Sequence, residues 1–155
     1  MAEAVFFDLD GTLSVPCYMS EGKLVVGFTD EGWFNHCTEL RDHAYDYCKP
    51  VRPVERYAKA LHDDGIKLYI LSVAQTEGER LAKISFVNRH FEGLFEEIIF
   101  ASTNAEKISI MDDYAIANGL NHNQIGIVED TYPVVLKAND NGYAATHISE
   151  IICNL

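Results

Sequence analysis

Short apolar runs alternate with longer amphipathic stretches along most of the chain. Five runs are rich in β-branched and aromatic residues, which is typical of buried strands: VFF at 5–7, IKLYILS at 66–72, EEIIFA at 96–101, QIGIV at 124–128 and GYAATHI at 142–148. Between them, apolar residues recur every three or four positions, the spacing of one helix face. This alternation predicts an α/β fold, with a doubly wound, Rossmann-like, mostly parallel sheet and helices on both faces.

Two capping boxes predict where the helices after the second and third strands begin. The first pairs Thr76 with Glu79, and the second pairs Thr103 with Glu106. The second box places Lys107 in the first turn of its helix, next to the end of the preceding strand.

The segment 14–50 does not fit the regular alternation. Its run KLVVGF predicts a small hairpin, and the apolar spacing after it predicts one helix over 30–48. We therefore expect a single domain, 1–155, in which 14–50 forms a hairpin flap and a short helical insert rather than a full cap domain. Ordinary core packing explains the aromatic residues of that helix, but as a group they could also roof a pocket or contact a partner subunit. These residues, with two histidines, are Trp33, Phe34, His36, His43, Tyr45 and Tyr47.

Composition and charge narrow the function classes. The chain has 155 residues, of which 48% are hydrophobic and 23% charged, as in ordinary globular domains. Its formal net charge of −12 argues against a nucleic-acid partner, since phosphate backbones require clusters of Lys and Arg. No apolar run is long enough to span a membrane, and the first residues lack a basic leader. The four cysteines form no C-x-x-C pair, so we expect a cytoplasmic protein.

The stretch FFDLDGTL is the strongest chemical signal in the sequence. Successive side chains of a strand point to opposite faces, so Asp8 and Asp10 share one side. Asp-Gly is also a common turn pair, but two carboxylates at the end of a buried strand repel each other unless a cation or a proton lies between them. The pattern therefore favours a metal-assisted site.

Other polar residues follow the remaining strands. Ser72 ends the second strand, Lys107 lies near the third, and Glu129 and Asp130 follow the fourth. Each has an ordinary structural explanation as a cap or helix-terminal charge. Taken together, they are expected at one edge, because ligands of open α/β sheets bind outside the carboxyl ends of the strands.

This set of side chains suits phosphoryl transfer. One carboxylate can attack phosphorus, and a second can protonate the leaving oxygen and later activate water. Asp8 and Asp130 suit Mg²⁺, which takes one or two protein carboxylates together with phosphate and water. The candidates for contact with the phosphoryl oxygens are Thr12, Ser72 and Lys107.

These segments resemble the motifs of the haloacid dehalogenase superfamily, in its phosphatase branch. DLDGTL is similar to the first motif, D-x-D-x-T, and LYILS resembles the second, which ends in Ser or Thr. Lys107 fits the third motif, and IGIVEDT resembles the acidic fourth motif. The resemblance spans nearly the whole chain and implies a capless or minimally capped member.

The resemblance also implies individual roles. Asp8 would be the nucleophile that forms an aspartyl phosphate, and Asp10 would be the general acid/base. The Asp10 carbonyl would bind Mg²⁺, and Thr12 would brace the loop. Asp130 would be the main acidic metal ligand, with Glu129 as the other candidate. Because dehalogenases of this family lack the second aspartate, Asp10 argues against that activity.

The expected function is thus Mg²⁺-dependent hydrolysis of a phosphate monoester, with a small phosphorylated metabolite as the expected substrate. Two alternatives remain at this point: a catalytically silent phosphate-binding or scaffold protein on the same fold, and a receiver-like phosphoacceptor domain. The sequence does not identify the ester, and it leaves open whether the chain forms a homo-oligomer.

Overall fold

A computed structural model describes residues 1–27 and 30–154. Its main sheet has five parallel strands in the order β7-β6-β1-β8-β9. They are β1 (Ala4–Phe7), β6 (Lys67–Val73), β7 (Glu97–Ala101), β8 (Ile125–Glu129) and β9 (Ala144–His147). The predicted parallel, doubly wound α/β sheet is confirmed.

Helices cover both faces of this sheet. They are α1 (Asp30–Leu40), α2 (Arg52–Asp63), α3 (Glu77–His90), α4 (Glu106–Asn118), α5 (Tyr132–Asp140) and α6 (Ile148–Ile152). Alternate residues of β1 serve two separate cores: Phe7 packs in one core with Phe86 of α3, and Phe6 packs in the other with Met111 of α4. This explains why the first strand is an uninterrupted apolar run. None of the described helices is long and apolar enough to cross a membrane.

The strand order creates a crevice at the carboxyl ends of β1 and β8. The chain runs from β1 outward through β6 and β7, then crosses to the other side of β1 to form β8. Such a reversal of strand order opens a ligand site between the carboxyl ends of β1 and β8. Phe7 pairs with Val128 in the register, so Asp8 and Glu129 leave the sheet side by side.

The segment after β1 forms a flap beside this crevice. β2 (Ser14–Val15) pairs with β5 (Lys49–Pro50), and β3 (Cys17–Ser20) forms an antiparallel hairpin with β4 (Lys23–Val26). The predicted hairpin is therefore present. The last residue of the predicted run KLVVGF, Phe28, lies outside the described residues.

The helix predicted over 30–48 is too long. α1 ends at Leu40, Arg41 has a positive φ of 47°, and a 3₁₀ turn follows over Arg41–His43. A left-handed residue other than glycine interrupts the helical backbone. The sequence pattern concealed this because Ala44 and Tyr45 beyond the break are also fully buried. The break turns the chain back toward the sheet and brings Tyr45 to the crevice.

The two capping boxes are only partly formed. The Thr76 hydroxyl accepts the Glu79 amide at 3.2 Å, as predicted, but the Glu79 carboxylate pairs with Lys83. The Glu106 amide donates to the Thr103 hydroxyl at 3.3 Å, while the Glu106 carboxylate accepts the amide of residue 102. α4 still begins at Glu106, which places Lys107 in its first turn as expected.

Candidate active site

Asp8 lies at the base of the crevice, almost buried, with both carboxylate oxygens engaged. Lys107 Nζ donates to Asp8 Oδ1 at 2.9 Å, and Thr12 Oγ1 donates to Asp8 Oδ2 at 3.2 Å. Thr12 is fully buried, so its hydroxyl braces the carboxylate from behind. This geometry favours the bracing role of Thr12 over direct contact with a phosphoryl group.

Glu129 and Asp130 occupy different environments although they are adjacent. Glu129 Oε2 accepts Lys107 Nζ at 2.8 Å, and Glu129 Oε1 faces the amides of Asp130 and Thr131 at 3.2 and 3.4 Å. Asp130 is partly exposed, and its Oδ1 accepts the Thr131 hydroxyl at 3.3 Å. Asp130 is therefore the more accessible of the two carboxylates.

Three carboxylates and one ammonium group form a cluster with excess negative charge. Potential ligand atoms of Asp8, Glu129 and Asp130 all lie within 4.8 Å of one another, and Lys107 pairs with the first two. Burial raises the pKa of Asp8 and raises that of Glu129 to about 8, although the attraction of Lys107 opposes both shifts. The same two carboxylates raise the pKa of Lys107 against the effect of its own burial.

This all-oxygen donor set fits a hard divalent cation. A cation here would offset the excess negative charge of the three carboxylates. The backbone of Gly11 packs closely against the Asp130 carboxylate, because a Cβ atom on Gly11 would come within 2.3 Å of Asp130 Oδ2. Gly11 has a φ of 77°, so glycine is favoured there on conformational as well as steric grounds.

When a chelator removes divalent metal ions, the free energy of unfolding is expected to fall as the pH rises from about 4.5 to about 8. Glu129 has a higher pKa in the folded protein than its ordinary 4.5, so the folded state binds more protons across that interval. The stabilisation from protonated Glu129 is complete below the pKa of this residue in the unfolded chain, and it is lost as the pH rises through its pKa in the folded protein. Denaturant titrations at several pH values measure this slope.

Glu129→Gln is the matched variant, because its amide is neutral at every pH. The variant should lose part of the slope and gain stability relative to the original chain at pH 8 without metal. Equal slopes for the two proteins would show that Glu129 does not carry this proton.

Asp10 also borders the crevice, and two side chains hold it. Tyr45 donates its hydroxyl to Asp10 Oδ1, and Lys83 Nζ lies 3.1 Å from Asp10 Oδ2. Burial and the neighbouring Asp10 charge raise the pKa of Tyr45 well above its ordinary value, so the phenol remains a donor. Both contacts fix the direction in which the Asp10 carboxylate points.

Lys83 also links Asp10 to the end of β6. It donates to the Ser72 hydroxyl at 2.8 Å and to the Val73 carbonyl, and it lies 3.4 Å from Glu79 Oε2. Lys83 and Ser72 are each only 1% exposed, so this is an internal network of polar groups. Lys83 was not among the residues predicted from the sequence. The sequence feature that could have indicated it is a lysine three positions before Phe86, on the face of α3 that packs in the core.

Two adjoining cavities open above these groups. The first, of about 280 Å³, is bordered by Asp8, Asp10, Ser72, Glu129 and Asp130 among others. The second, of about 420 Å³, meets the first at Asp10, Val73 and Asn104. A larger cavity of about 540 Å³ lies between α2 and α6, and none of the predicted site residues borders it. The predicted site residues therefore point to the first cavity as the candidate site.

The structure brings the predicted site residues to one place. Lys107 contacts both Asp8 and Glu129, and Asp130 lies beside these two carboxylates. Asp10 and Ser72 border the same cavity and are linked to each other through Lys83.

The sheet order and the site together define the class of fold: the chain has the fold of the haloacid dehalogenase superfamily. A haloacid dehalogenase-like hydrolase of Streptococcus pneumoniae aligns over 93% of this chain and 83% of its own, with a TM-score of 0.59 and 18% identity. A family enzyme of Bacteroides thetaiotaomicron, solved with magnesium and inorganic phosphate, aligns over 95% and 94%, with a TM-score of 0.58 and 10% identity.

A third similar structure is a predicted phosphoglycolate phosphatase of Haemophilus somnus, which covers 93% of this chain and 84% of its own at 16% identity, with a TM-score of 0.58. No protein-family model matches the sequence, and no curated protein matches it significantly. At these identities the likeness is one of fold alone.

Proposed function

We propose that this protein is a Mg²⁺-dependent phosphomonoester hydrolase that acts through an aspartyl phosphate on Asp8. The observation that carries the proposal is that two carboxylates with different partners border one cavity. Asp8 is paired with Lys107, whereas Asp10 is held by Tyr45 and Lys83. The names of the similar structures, which include hydrolases and predicted phosphatases, support the same reaction class.

The first step is attack of an Asp8 carboxylate oxygen on phosphorus. A new P–O bond forms to Asp8, the P–O bond to the leaving alcohol breaks, and protonated Asp10 gives its proton to the departing oxygen. Lys107 compensates negative charge beside Asp8, and the Ser72 hydroxyl lies on the cavity wall, where it can contact a phosphoryl oxygen.

The second step returns the site to its starting state. Asp10 now accepts a proton from water, whose oxygen attacks phosphorus and displaces the Asp8 carboxylate. Inorganic phosphate leaves, Asp8 is again ionised and Asp10 is again protonated. Tyr45 and Lys83 keep Asp10 in place for both proton transfers.

Asp8, Asp130 and the backbone carbonyl of Asp10 would hold the Mg²⁺ ion. Glu129 is the weaker candidate because Lys107 and two backbone amides already engage its oxygens. When bound, the cation supplies positive charge that offsets the carboxylates and the phosphoryl group.

The two alternatives differ in their support. A receiver domain has the strand order 2-1-3-4-5, whereas the five parallel strands here follow the order 3-2-1-4-5. A silent phosphate-binding protein would keep this fold but would not need Asp10 held beside the leaving group. The intact pair of aspartates therefore favours the enzyme.

The experiment is an assay of p-nitrophenyl phosphate and a panel of natural phosphate monoesters with Mg²⁺ and with chelator. We expect turnover that chelator abolishes and that Mg²⁺ restores. In Asp130→Asn, the Mg²⁺ concentration for half-maximal activity should rise while the fold persists; an unchanged requirement would transfer the ligand role to Glu129. Absence of turnover with every ester would contradict the proposal and favour the silent phosphate-binding protein.

A further inference from the structure

The second cavity, of about 420 Å³, lies beyond Asp10 and away from Asp8. In the proposed reaction Asp10 protonates the leaving oxygen, so the part of the substrate attached to that oxygen must extend past Asp10. The two cavities meet at Asp10, and the volume of the second falls within the range of small-molecule sites, about 300–1,000 Å³. The second cavity is therefore the place for the leaving group.

Two aromatic side chains of α1 form one wall of this leaving-group cavity. Trp33 is only 5% exposed and packs edge-on against Tyr45 and face-on against His36. Phe34, next in the chain, is 41% exposed. A fixed indole and an accessible phenyl ring offer apolar surface to a ring of the ligand.

Hydrogen-bonding groups form the rest of the lining. Gln75 and Asn104 contribute carboxamides, and Glu79 contributes a carboxylate. The Glu79 side chain is 11% exposed and pairs with Lys83. Carboxamides both donate and accept, and a carboxylate accepts, so the lining suits a ligand that carries several hydroxyl or amine groups.

The charge of the cavity disfavours an anion. Asp10 and Glu79 both border it, while Lys83, which pairs with both, is buried behind them. Among the described residues that line the cavity, none is a lysine, arginine or histidine. Because Asp10 carries a proton when the ester is bound, a leaving group with its own carboxylate or second phosphate would meet the negative charge of Glu79, and no cation among the described lining residues could pair with it.

We propose that the leaving group is an uncharged, hydroxyl-bearing ring alcohol, either a sugar or a nucleoside. This inference rests on the proposed function and specifies its substrate class. The inference also predicts that phosphoglycolate, the compound in the name of one similar structure, is a poor substrate of this protein. The glycolate released from it is a small anion without a ring.

The first test compares kcat/KM, with Mg²⁺, across esters whose leaving groups differ in charge. Ribose 5-phosphate, glucose 6-phosphate, uridine 5′-monophosphate and adenosine 5′-monophosphate represent the neutral ring class. 2-Phosphoglycolate and 3-phosphoglycerate represent the anionic class. We expect the best ring ester to exceed both anionic esters by at least about tenfold, and the comparison of sugars with nucleotides identifies the source of the ring.

The second test changes the charge of the lining. Gln75 is exposed, and Gln75→Lys adds a cation there. We expect this change to raise kcat/KM for 2-phosphoglycolate relative to the best ring ester by about tenfold. Gln75→Met, which has a similar length but no charge, should leave this ratio unchanged.

The third test removes the accessible aromatic ring. Phe34→Ala should lower the kcat/KM ratio of the best ring ester to glycerol 1-phosphate by about five- to 100-fold, mainly through KM. Leu40→Ala is the matched control, since Leu40 lies on the same helix, is 42% exposed and does not border the cavity. An equal effect of both substitutions would contradict a role for Phe34 in binding.

The failure of this inference differs from the failure of the proposed function. If p-nitrophenyl phosphate is hydrolysed but 2-phosphoglycolate or 3-phosphoglycerate is preferred over every ring ester, the inference is overturned and the hydrolase activity stands. If no ester is hydrolysed, including p-nitrophenyl phosphate, both proposals are overturned.

Discussion

Asp8→Asn is expected to reduce turnover of every phosphate monoester by at least about 10⁴-fold. The neutral amide cannot attack phosphorus, and no other described carboxylate has the same contacts with Lys107 and Thr12. Fold and phosphate binding should persist, because the amide oxygen still accepts a hydrogen bond from Lys107. Steady-state kinetics, with circular dichroism as a check of folding, measure the effect.

Asp113→Asn provides the matched control for this change. Asp113 is an exposed aspartate on α4, outside the cavities, and its substitution should leave kcat and KM unchanged. A folded Asp8→Asn protein that retains more than a few per cent of the original activity would contradict the role of Asp8 as nucleophile.

Asp10→Asn is expected to have an effect that depends on the leaving group. With an alkyl ester, loss of the proton donor should lower kcat/KM by about 10²- to 10⁴-fold. With p-nitrophenyl phosphate, whose leaving group scarcely needs a proton, formation of the phosphoenzyme should be affected much less. Hydrolysis of that intermediate should be slow, because no base activates water, so a burst of nitrophenolate should precede a slow steady state.

Tyr45→Phe separates the proton transfer from its support. It removes the hydrogen bond to Asp10 but keeps the carboxyl group, so its loss of activity should be smaller than that of Asp10→Asn and should follow the same order of leaving groups. A uniform loss for all esters in Asp10→Asn would contradict the assignment of Asp10 as acid/base.

The sequence predicted those parts of the fold and site that follow from local pattern. Strand ends can be read from apolar runs, and parallel strands present their carboxyl ends at one edge, so Asp8, Ser72 and Glu129 could be placed together from the sequence alone. The structure confirms the sheet and brings these residues together. Their catalytic roles stay predictions until they are tested.

The contacts of Asp10 could not be predicted in the same way. Tyr45 reaches Asp10 only because the helix ends early at Leu40 and Arg41 adopts a positive φ, and apolar periodicity continues through that break. Lys83 reaches Asp10 from α3, and the two residues are 73 positions apart in the sequence. Such contacts depend on how close two packed elements come, which residue spacing within one element does not encode.

The choice between Glu129 and Asp130 shows the same limit at short range. Both acids follow one strand, so their order in the sequence does not reveal which one faces the metal position. The difference arises because Lys107 and two backbone amides engage Glu129, whereas Asp130 remains partly exposed opposite Gly11. Three-dimensional partners, rather than residue type, distinguish the two carboxylates.

Locating the phosphoryl group on the chain tests the central claim most directly. In Asp10→Ala, Asp8 is the only carboxylate left within residues 4–13, which makes its peptide unambiguous. Alanine replaces asparagine in this test because hydroxylamine itself attacks Asn–Gly bonds, and Gly11 follows position 10. The variant reacts briefly with p-nitrophenyl phosphate, the reaction is quenched rapidly, and the protein is treated with hydroxylamine. Mass spectrometry should then find a hydroxamate on Asp8. The additional change Asp8→Asn should eliminate it. A burst of nitrophenolate with the label on another residue, or with no labelled residue, would contradict an aspartyl phosphate on Asp8.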